Sequence, residues 1–452
     1  MPQSTSQPQT RTPTLRGTKP RATLGDRIRQ LRINRGMTQT ELAGERFSKE
    51  YLSQIERGKT RPTDETVSWL AARLGVDSGF LESGVSTSDQ DRAESVISRA
   101  EAAIESQQYT EAVEMLEAVV TSLGAANAPE LELRALLAEG WARMYVSELR
   151  KAIAVLTRAR VLAEDPVFTD VDRAEVLFRL GACRWNLSSI ATASALFTEA
   201  LDLAERSGLP CDRLRSNILG WRSRCHQRQR DWEAAREDVE RALELAEAMN
   251  DERTVAHHYF QASLIAERTG HWVLARSYAE RAKAQYEELA DQSNVGKLLN
   301  NLGGLNFQLG KPDEAIKHLK DAYRVLLEVG DNTDAGHVVS SLAQVHLRTG
   351  EPKLAEEQAR HALDLLGGRV DHLDEIGNAQ LVLGRALLDQ ERLDEADTMF
   401  KEAEGSFEQL SSASHRAAAW IAQGDLAVRR GEDLDAAHLY RRAAEALQDF
   451  RF

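Results

Sequence analysis

TQTELAGERFSKEYLSQIERGKTRP, residues 38–62, holds two short amphipathic segments joined by a tight connection. In the first, Leu42 and Ala43 are the small apolar contacts. In the second, Leu52 and Ile55 stand three apart and share one helix face. Lys49, Glu50, Ser53 and Gln54 project from the other side. Gly58 stops the second segment and Pro62 keeps it from resuming. A short helix with an inward apolar seam and an outward row of Lys, Ser and Gln suits the major groove of DNA, where amide and ammonium groups reach base edges.

The flanking sequence runs Leu24-Gly25-x-x-Ile28-x-x-Leu31-Arg32 before this stretch and Leu70-Ala71-x-x-Leu74-Gly75-Val76 after it. With Thr38-Gln39-x-x-Leu42-Ala43, Tyr51-Leu52-Ser53-Gln54-Ile55-Glu56-x-Gly58 and Pro62, these make residues 24–83 resemble the lambda-repressor-like, XRE-type helix-turn-helix family. The resemblance implies a small five-helix DNA-binding domain. It implies that Gln39 touches a phosphate, that Lys49, Glu50 and Gln54, with Ser53 beside them, meet bases, and that Lys59, Thr60 and Arg61 contact backbone phosphates. Arg32 and Glu56 take the places of a buried ion pair behind the recognition helix, which orients that helix without necessarily adding net stability. The connection Gly44-Glu45-Arg46-Phe47-Ser48 is one residue shorter than is usual in the family, with Ser48 placed to N-cap the recognition helix and completing the DNA-facing set. Glu50, an acid facing a polyanion, either accepts from a cytosine amino group or holds Lys49 or Arg46 in place.

The whole chain of 452 residues carries a net charge of −14, an odd value for a DNA binder until it is divided. Residues 1–83 hold 14 Lys and Arg against 9 Asp and Glu, a charge of +5, and the remainder holds 43 against 62, a charge of −19. The basic excess therefore sits at the DNA-reading end. Residues 1–23, rich in Pro, Thr, Gln and Ser with four basic residues and no acid, predict a disordered basic tail. Residues 84–90, small and polar, predict a linker. Cys183, Cys211 and Cys225 form no CxxC and no zinc spacing with histidine, so they predict reduced thiols in a cytoplasmic protein. No apolar run approaches a membrane span of roughly 20 residues, and the N-terminus lacks the apolar core of a secretory signal.

From residue 91 to 452 the pattern is almost wholly helical, and it repeats. A small residue recurs at Ala112, Ala152, Ala193, Ala235, Ala275, Ala315, Ala355, Ala396 and Ala437, in steps of 40 to 42. Another small residue stands twelve positions before each of the first eight, from Ala100 and Gly140 to Gly384, and the ninth unit slips by one to Gly424. Small residues at matched heights let two antiparallel helices approach closely. The pattern resembles the tetratricopeptide repeat, including Lys311-Pro312-Asp313-Glu314-Ala315, with a period nearer 40 than the usual 34. The expected fold is all-α: the five-helix domain, then a right-handed α-solenoid of about nine helical hairpins with a concave surface.

In the tetratricopeptide family the first helix of each hairpin lines the concave face. That places Asn217, His257, Lys297, His337 and Asn378 in one row, Phe260, Asn300, Ser340 and Leu381 in a second, and Arg224, Leu264, Gly304, Gln344 and Arg385 in a third. Asn side chains suit the main chain of an extended peptide, and Arg and Lys suit its carboxylates. A polar face that merely meets water has the same composition. The arrangement as a whole resembles the peptide-responsive RRNPP regulators, which implies a homodimer on an operator in double-stranded DNA and a short peptide in the groove. An alternative stays open, in which the repeats are a scaffold for a protein partner and the DNA-binding domain localises the complex. No Gly-rich phosphate loop, HExxH or Ser/His/Asp arrangement points to an enzyme, a cofactor or a metal, and the adjacent His257 and His258 diverge by about 100° on a helix. Leu447, Phe450 and Phe452 put apolar surface at the end of the chain, suited to pairing two copies.

Overall fold

The computed structural model describes residues 23–83, 86–123, 128–367, 372–410 and 412–448, which form 23 helices and no strand. The basic tail expected over residues 1–23 lies outside them except for Thr23, as do Phe450 and Phe452. The chain parts into two compact units between Leu209 and Pro210.

The first unit opens with α1 (Leu24–Asn34), α2 (Gln39–Ala43), α3 (Lys49–Glu56), α4 (Asp64–Arg73) and α5 (Ser78–Ser83). Each start up to α4 is set by a hydroxyl that accepts a backbone N–H of the first turn: Thr23, Thr38, Ser48 and Thr63. Thr23 with Asp26 and Thr38 with Glu41 close full capping boxes, satisfying two otherwise orphaned donors each. The core is Ile28, Leu42, Ala43, Leu52, Ile55, Val67, Leu70, Ala71, Leu74 and Leu81, all essentially buried. Gly25 lets α1 close on α3, since a Cβ there would lie 2.4 Å from the Ile55 carbonyl oxygen. Gly44, at φ +57°, turns the chain out of α2 in a conformation that side chains rarely adopt.

Three hairpins follow in the same unit: α6 (Thr87–Glu105) with α7 (Tyr109–Leu123), α8 (Pro129–Tyr145) with α9 (Leu149–Leu162), and α10 (Asp170–Asn186) with α11 (Ile190–Arg206). The linker expected at 84–90 is shorter than its composition suggested. Ser86 accepts the Asp89 N–H and caps α6, so residues 87–90 are its first turn.

The second unit holds six hairpins: α12 (Asp212–Gln229) and α13 (Trp232–Ala248), α14 (Glu252–Arg268) and α15 (Trp272–Glu288), α16 (Gln292–Gln308) and α17 (Pro312–Glu328), α18 (Asn332–Arg348) and α19 (Pro352–Leu366), α20 (Leu373–Asp389) and α21 (Leu393–Gln409), α22 (Ala413–Arg430) and α23 (Asp433–Gln448). All nine hairpins turn through a residue at positive φ two places before the second helix, as at Gln107, Ser188, Gly270 and Glu391. The alanines from Ala112 to Ala396 are fully buried. In the ninth hairpin the register is corrected: Ala436 is buried and Ala437 exposed, so Gly424 stands twelve before the true small position and the slip disappears.

The small residue of the first helix is matched to a larger one sixteen positions on. Gly140 faces Leu156, Gly181 faces Phe197, Gly303 faces Leu319, Gly384 faces Phe400 and Gly424 faces Tyr440. Where the first position is Ser223, Ser263 or Ala343, the second is Val239, Ala279 or Ala359. Volume is exchanged across the pair, which is how interiors keep crystal-like density while the residues vary. All 3 cysteines are free, and burial pushes the Cys183 thiol up to about 12 and Cys225 up to about 11, away from reactive thiolate chemistry.

Candidate nucleic-acid interface and ligand groove

The helix-turn-helix is held by one carboxylate. Arg32 on α1 gives Nε to Glu56 Oε1 at 2.6 Å and Nη2 to Oε2 at 3.0 Å, and its Nη1 donates to the Met37 carbonyl at 2.9 Å. The two side chains are 12% and 3% exposed, so water screens the pair little. Gln39, the first residue of α2, donates its amide to the same Glu56 carboxylate at 2.7 Å. Glu56 thereby joins α1, α2 and α3. Gln39 is half-buried, and its amide nitrogen is engaged inside the domain, an arrangement that its expected phosphate contact did not foresee.

On the outer side of α3, Lys49, Glu50 and Gln54 are exposed and Ser53 half-buried. Ser48 Oγ accepts the Tyr51 N–H at 3.1 Å, which fixes the start of the helix. Phe47, in the short connection, packs on Trp69 edge to face at 5.1 Å and on Tyr51 at 5.5 Å, anchoring that turn. Of the roles open to Glu50, holding Arg46 is not the one taken: Arg46 reaches Glu65 on α4. Lys49, Glu50, Lys59 and Arg61 make no ion pair among the described residues, so the positive charges facing outward are not neutralised within the domain. Thr60 Oγ1 donates to Gln54 Oε1 at 3.0 Å, leaving the Gln54 amide N–H groups pointing away from that bond.

In the second unit α14, α16 and α18 line a cleft of ≈ 380 Å³. Of the rows expected from the sequence, Phe260, Leu264, Lys297, Asn300, Gly304 and His337 meet there. Asn217 on α12 and Asn378, Gln344 and Arg385 further along do not. Arg224 and His257 form a separate cluster, with Arg224 Nη2 2.9 Å from His257 Nε2 and its guanidinium stacked on Trp221 at 4.9 Å. Burial and the Arg224 charge push His257 well below the usual histidine range. Ser340 is corrected: it is buried, its short side chain staying within the packed surface, and Ser341 lines the cleft instead.

The cleft also takes residues that the sequence reading passed over. Glu267 receives the Asn301 amide at 3.0 Å, and burial raises its carboxyl above the usual range. Asp334 pairs with Lys297 at 3.2 Å. Asn301 and Ser341 occupy the same step of successive repeats, two before the small position, a row that could have been found by shifting the register by one more helix step. Asn300 Oδ1 is buried and has no hydrogen-bond partner among the described residues. At the far wall His337 Nδ1 stands 3.6 Å from Glu375 Oε1. Burial and the adjoining Asp374 push Glu375 up to about 8, and burial lowers His337.

The chain thus joins a helix-turn-helix domain, with the outer face of α3 exposed, to tetratricopeptide-type hairpins. The comparisons agree. A helix-turn-helix family matches residues 28–81, and tetratricopeptide repeat families match 294–366 and 381–449. The HTH-type transcriptional regulator y4dJ of Sinorhizobium fredii, itself uncharacterized, is 44% identical over 57 residues, 12% of this chain and 74% of that protein. The regulator DdrOP3 of Deinococcus deserti is 41% identical over 63 residues, 14% of this chain and 49% of that protein, so the chain spans about half of its length. This chain belongs to the HTH-type transcriptional regulators. The apo form of the quorum sensor NprR from B. thuringiensis covers 79% of this chain and 99% of its own, with TM-score 0.61 and 12% identity, a likeness of fold. No helix among the described residues is long and apolar enough to cross a membrane.

Proposed function

We propose that this regulator reads a specific operator through α3 and that a short peptide in the α14–α18 cleft changes its affinity for that operator. Lys49 and Gln54 contact base edges, with Ser53 and Glu50 beside them, while Lys59, Thr60 and Arg61 hold phosphates. Two copies bind an inverted repeat, each placing one α3 in the major groove. The reaction class is binding alone, in the cytoplasm, with no catalytic step.

The observation that carries the ligand is Asn300 Oδ1. A buried carbonyl oxygen without a donor costs on the order of 1–3 kcal/mol, and rotation of the Asn300 side chain, which lines the cleft, would present it to a peptide main-chain N–H. Lys297 stands beside it with Asp334 as its present partner, so a peptide carboxylate would exchange for an aspartate. The cleft volume lies in the ~300–1,000 Å³ range of small-ligand sites. The test is operator affinity measured with and without a low-molecular-weight peptide extract of the host culture. The extract is expected to shift affinity at least tenfold for the natural chain and not for Asn300→Ala. An extract without effect on the natural chain overturns the peptide reading.

A further inference from the structure

We propose that His337, His372 and Glu375 form a binding site for one divalent transition-metal ion on the wall of this cleft. Nothing in the spacing of these residues announces it: the first lies on α18, the other two on either side of the start of α20, and they are separated by 35 and 3 positions. Folding brings one ligand atom from each within 4.8 Å of the other two. His337 Nδ1 and Glu375 Oε1 are already 3.6 Å apart, against about 3.4 Å between two ligand atoms on a single tetrahedral zinc. Rotation of two half-buried side chains closes the rest.

The hydrogen bonding is that of a group awaiting a partner. His337 Nε2 is buried and makes no hydrogen bond among the described residues, and its Nδ1 has the Glu375 oxygen only at 3.6 Å. The rings of His337 and His372 meet edge to face with centroids 6.5 Å apart, and one ligand atom of each lies within 4.8 Å of the other. The surroundings are acidic. Asp374 adjoins Glu375 and Asp334 stands near it, and Lys297, which lines the same cleft, is taken by Asp334. A cation at this point is favoured by its neighbours as well as by its ligands.

Two imidazoles and one carboxylate are the donor set of borderline divalent ions such as Zn²⁺ and Co²⁺, in preference to Mg²⁺ or Ca²⁺, which ask for oxygen alone. Three protein ligands leave one position for water or for a group held in the cleft that His337 also lines.

The experiment is titration of the metal-free full-length chain with Zn²⁺ by calorimetry, and with Co²⁺ while following its visible ligand-field bands. One saturable equivalent per chain is expected, weakened at least tenfold by His337→Ala and by His372→Gln, with Cys211→Ser unchanged. His372 lies at the edge of α20, and His372→Gln decides the matter if His337→Ala loses helix content. Absence of a saturable equivalent overturns the proposal, and so does binding that survives His372→Gln or is lost in Cys211→Ser. DNA binding enters none of these readings, so failure here is distinct from failure of the operator or peptide reading.

Discussion

Arg32 and Glu56, 24 positions apart, meet edge to edge within the helix-turn-helix domain, the guanidinium covering both carboxylate oxygens at 2.6 and 3.0 Å. Glu56→Ala leaves a buried guanidinium without its counter-ion and should cost about 3–5 kcal/mol of domain stability. The paired substitution Arg32→Met with Glu56→Leu should recover most of that stability, because removing both charges also removes their desolvation. It should not recover operator affinity in full, because Gln39 still loses its acceptor and α2 its tie to α3. Hydrogen exchange of the residue 24–83 amides and operator binding, measured on both variants, separate the two effects.

Gly181 and Phe197 test the exchange of volume within a hairpin. A methyl group at position 181 would lie 2.6 Å from a ring carbon of a wholly buried phenylalanine. Gly181→Ala alone should therefore destabilise by roughly 1–2 kcal/mol, overpacking outweighing the gain in helix propensity. In a Phe197→Ala background the same change should stabilise by about 1 kcal/mol, since only the propensity remains. Urea denaturation of the four chains reads the sign change. Equal effects in the two backgrounds would refute the pairing.

His258 gives the second unit a pH dependence. It is 2% exposed and 2.9 Å from Ser216 Oγ through Nε2, and its pKa is lowered to about 4, chiefly by burial and then by the Arg224 charge, against a hydrogen bond with Gln261 and the Asp251 charge. The unfolded chain binds a proton near pH 6.5 that the folded chain refuses. The stability due to neutral His258 is thus complete above that value and is lost as pH falls towards 4, on the order of 3 kcal/mol over the window. His258→Gln should reduce the slope of the stability profile of the second unit between pH 6.5 and 4, and His257, pushed down to about 3, keeps the remainder. An unchanged slope would mean that the buried imidazole is not the source.

Lys49, Gln54 and Lys59 should separate by the kind of contact they make. Gln54→Ala and Lys49→Ala should each cost about 1–3 kcal/mol on the operator and relax base preference at a single position. Lys59→Ala should weaken all DNA alike and reduce the slope of log affinity against log salt by about 1. Binding of operator variants at several salt concentrations measures both.

Much of this molecule was legible before folding, and the reason differs by region. Residues 38–62 announce themselves because a helix-turn-helix is local: Leu52, Ile55 and Gly58 fix face and end within one stretch. The hairpins are equally legible, since burial of Ala152 or Ala315 every 40 residues is a periodic demand. The last unit was misread by one residue because Ala436 and Ala437 are both small, and only packing shows which is inside. Ser86 hid the start of α6 because a cap and a linker share composition. The groove was the least legible part. Register placed Lys297, Asn300 and His337 together, but whether Arg224 turns into the cleft or onto Trp221 depends on aromatic neighbours that no row of polar residues reveals. The convergence of His337 with His372 and Glu375 depends on two helices from different hairpins.

Operator reading by α3 is tested most directly by selection from random double-stranded DNA with the full-length chain, Gln54→Ala being carried in parallel. Enrichment of an inverted repeat whose half-sites lie about one helical turn apart is expected, with Gln54→Ala losing discrimination at one base of each half-site. Recovery of unenriched DNA, or of the same motif undiminished with Gln54→Ala, would contradict it and leave the repeats rather than α3 as the seat of function.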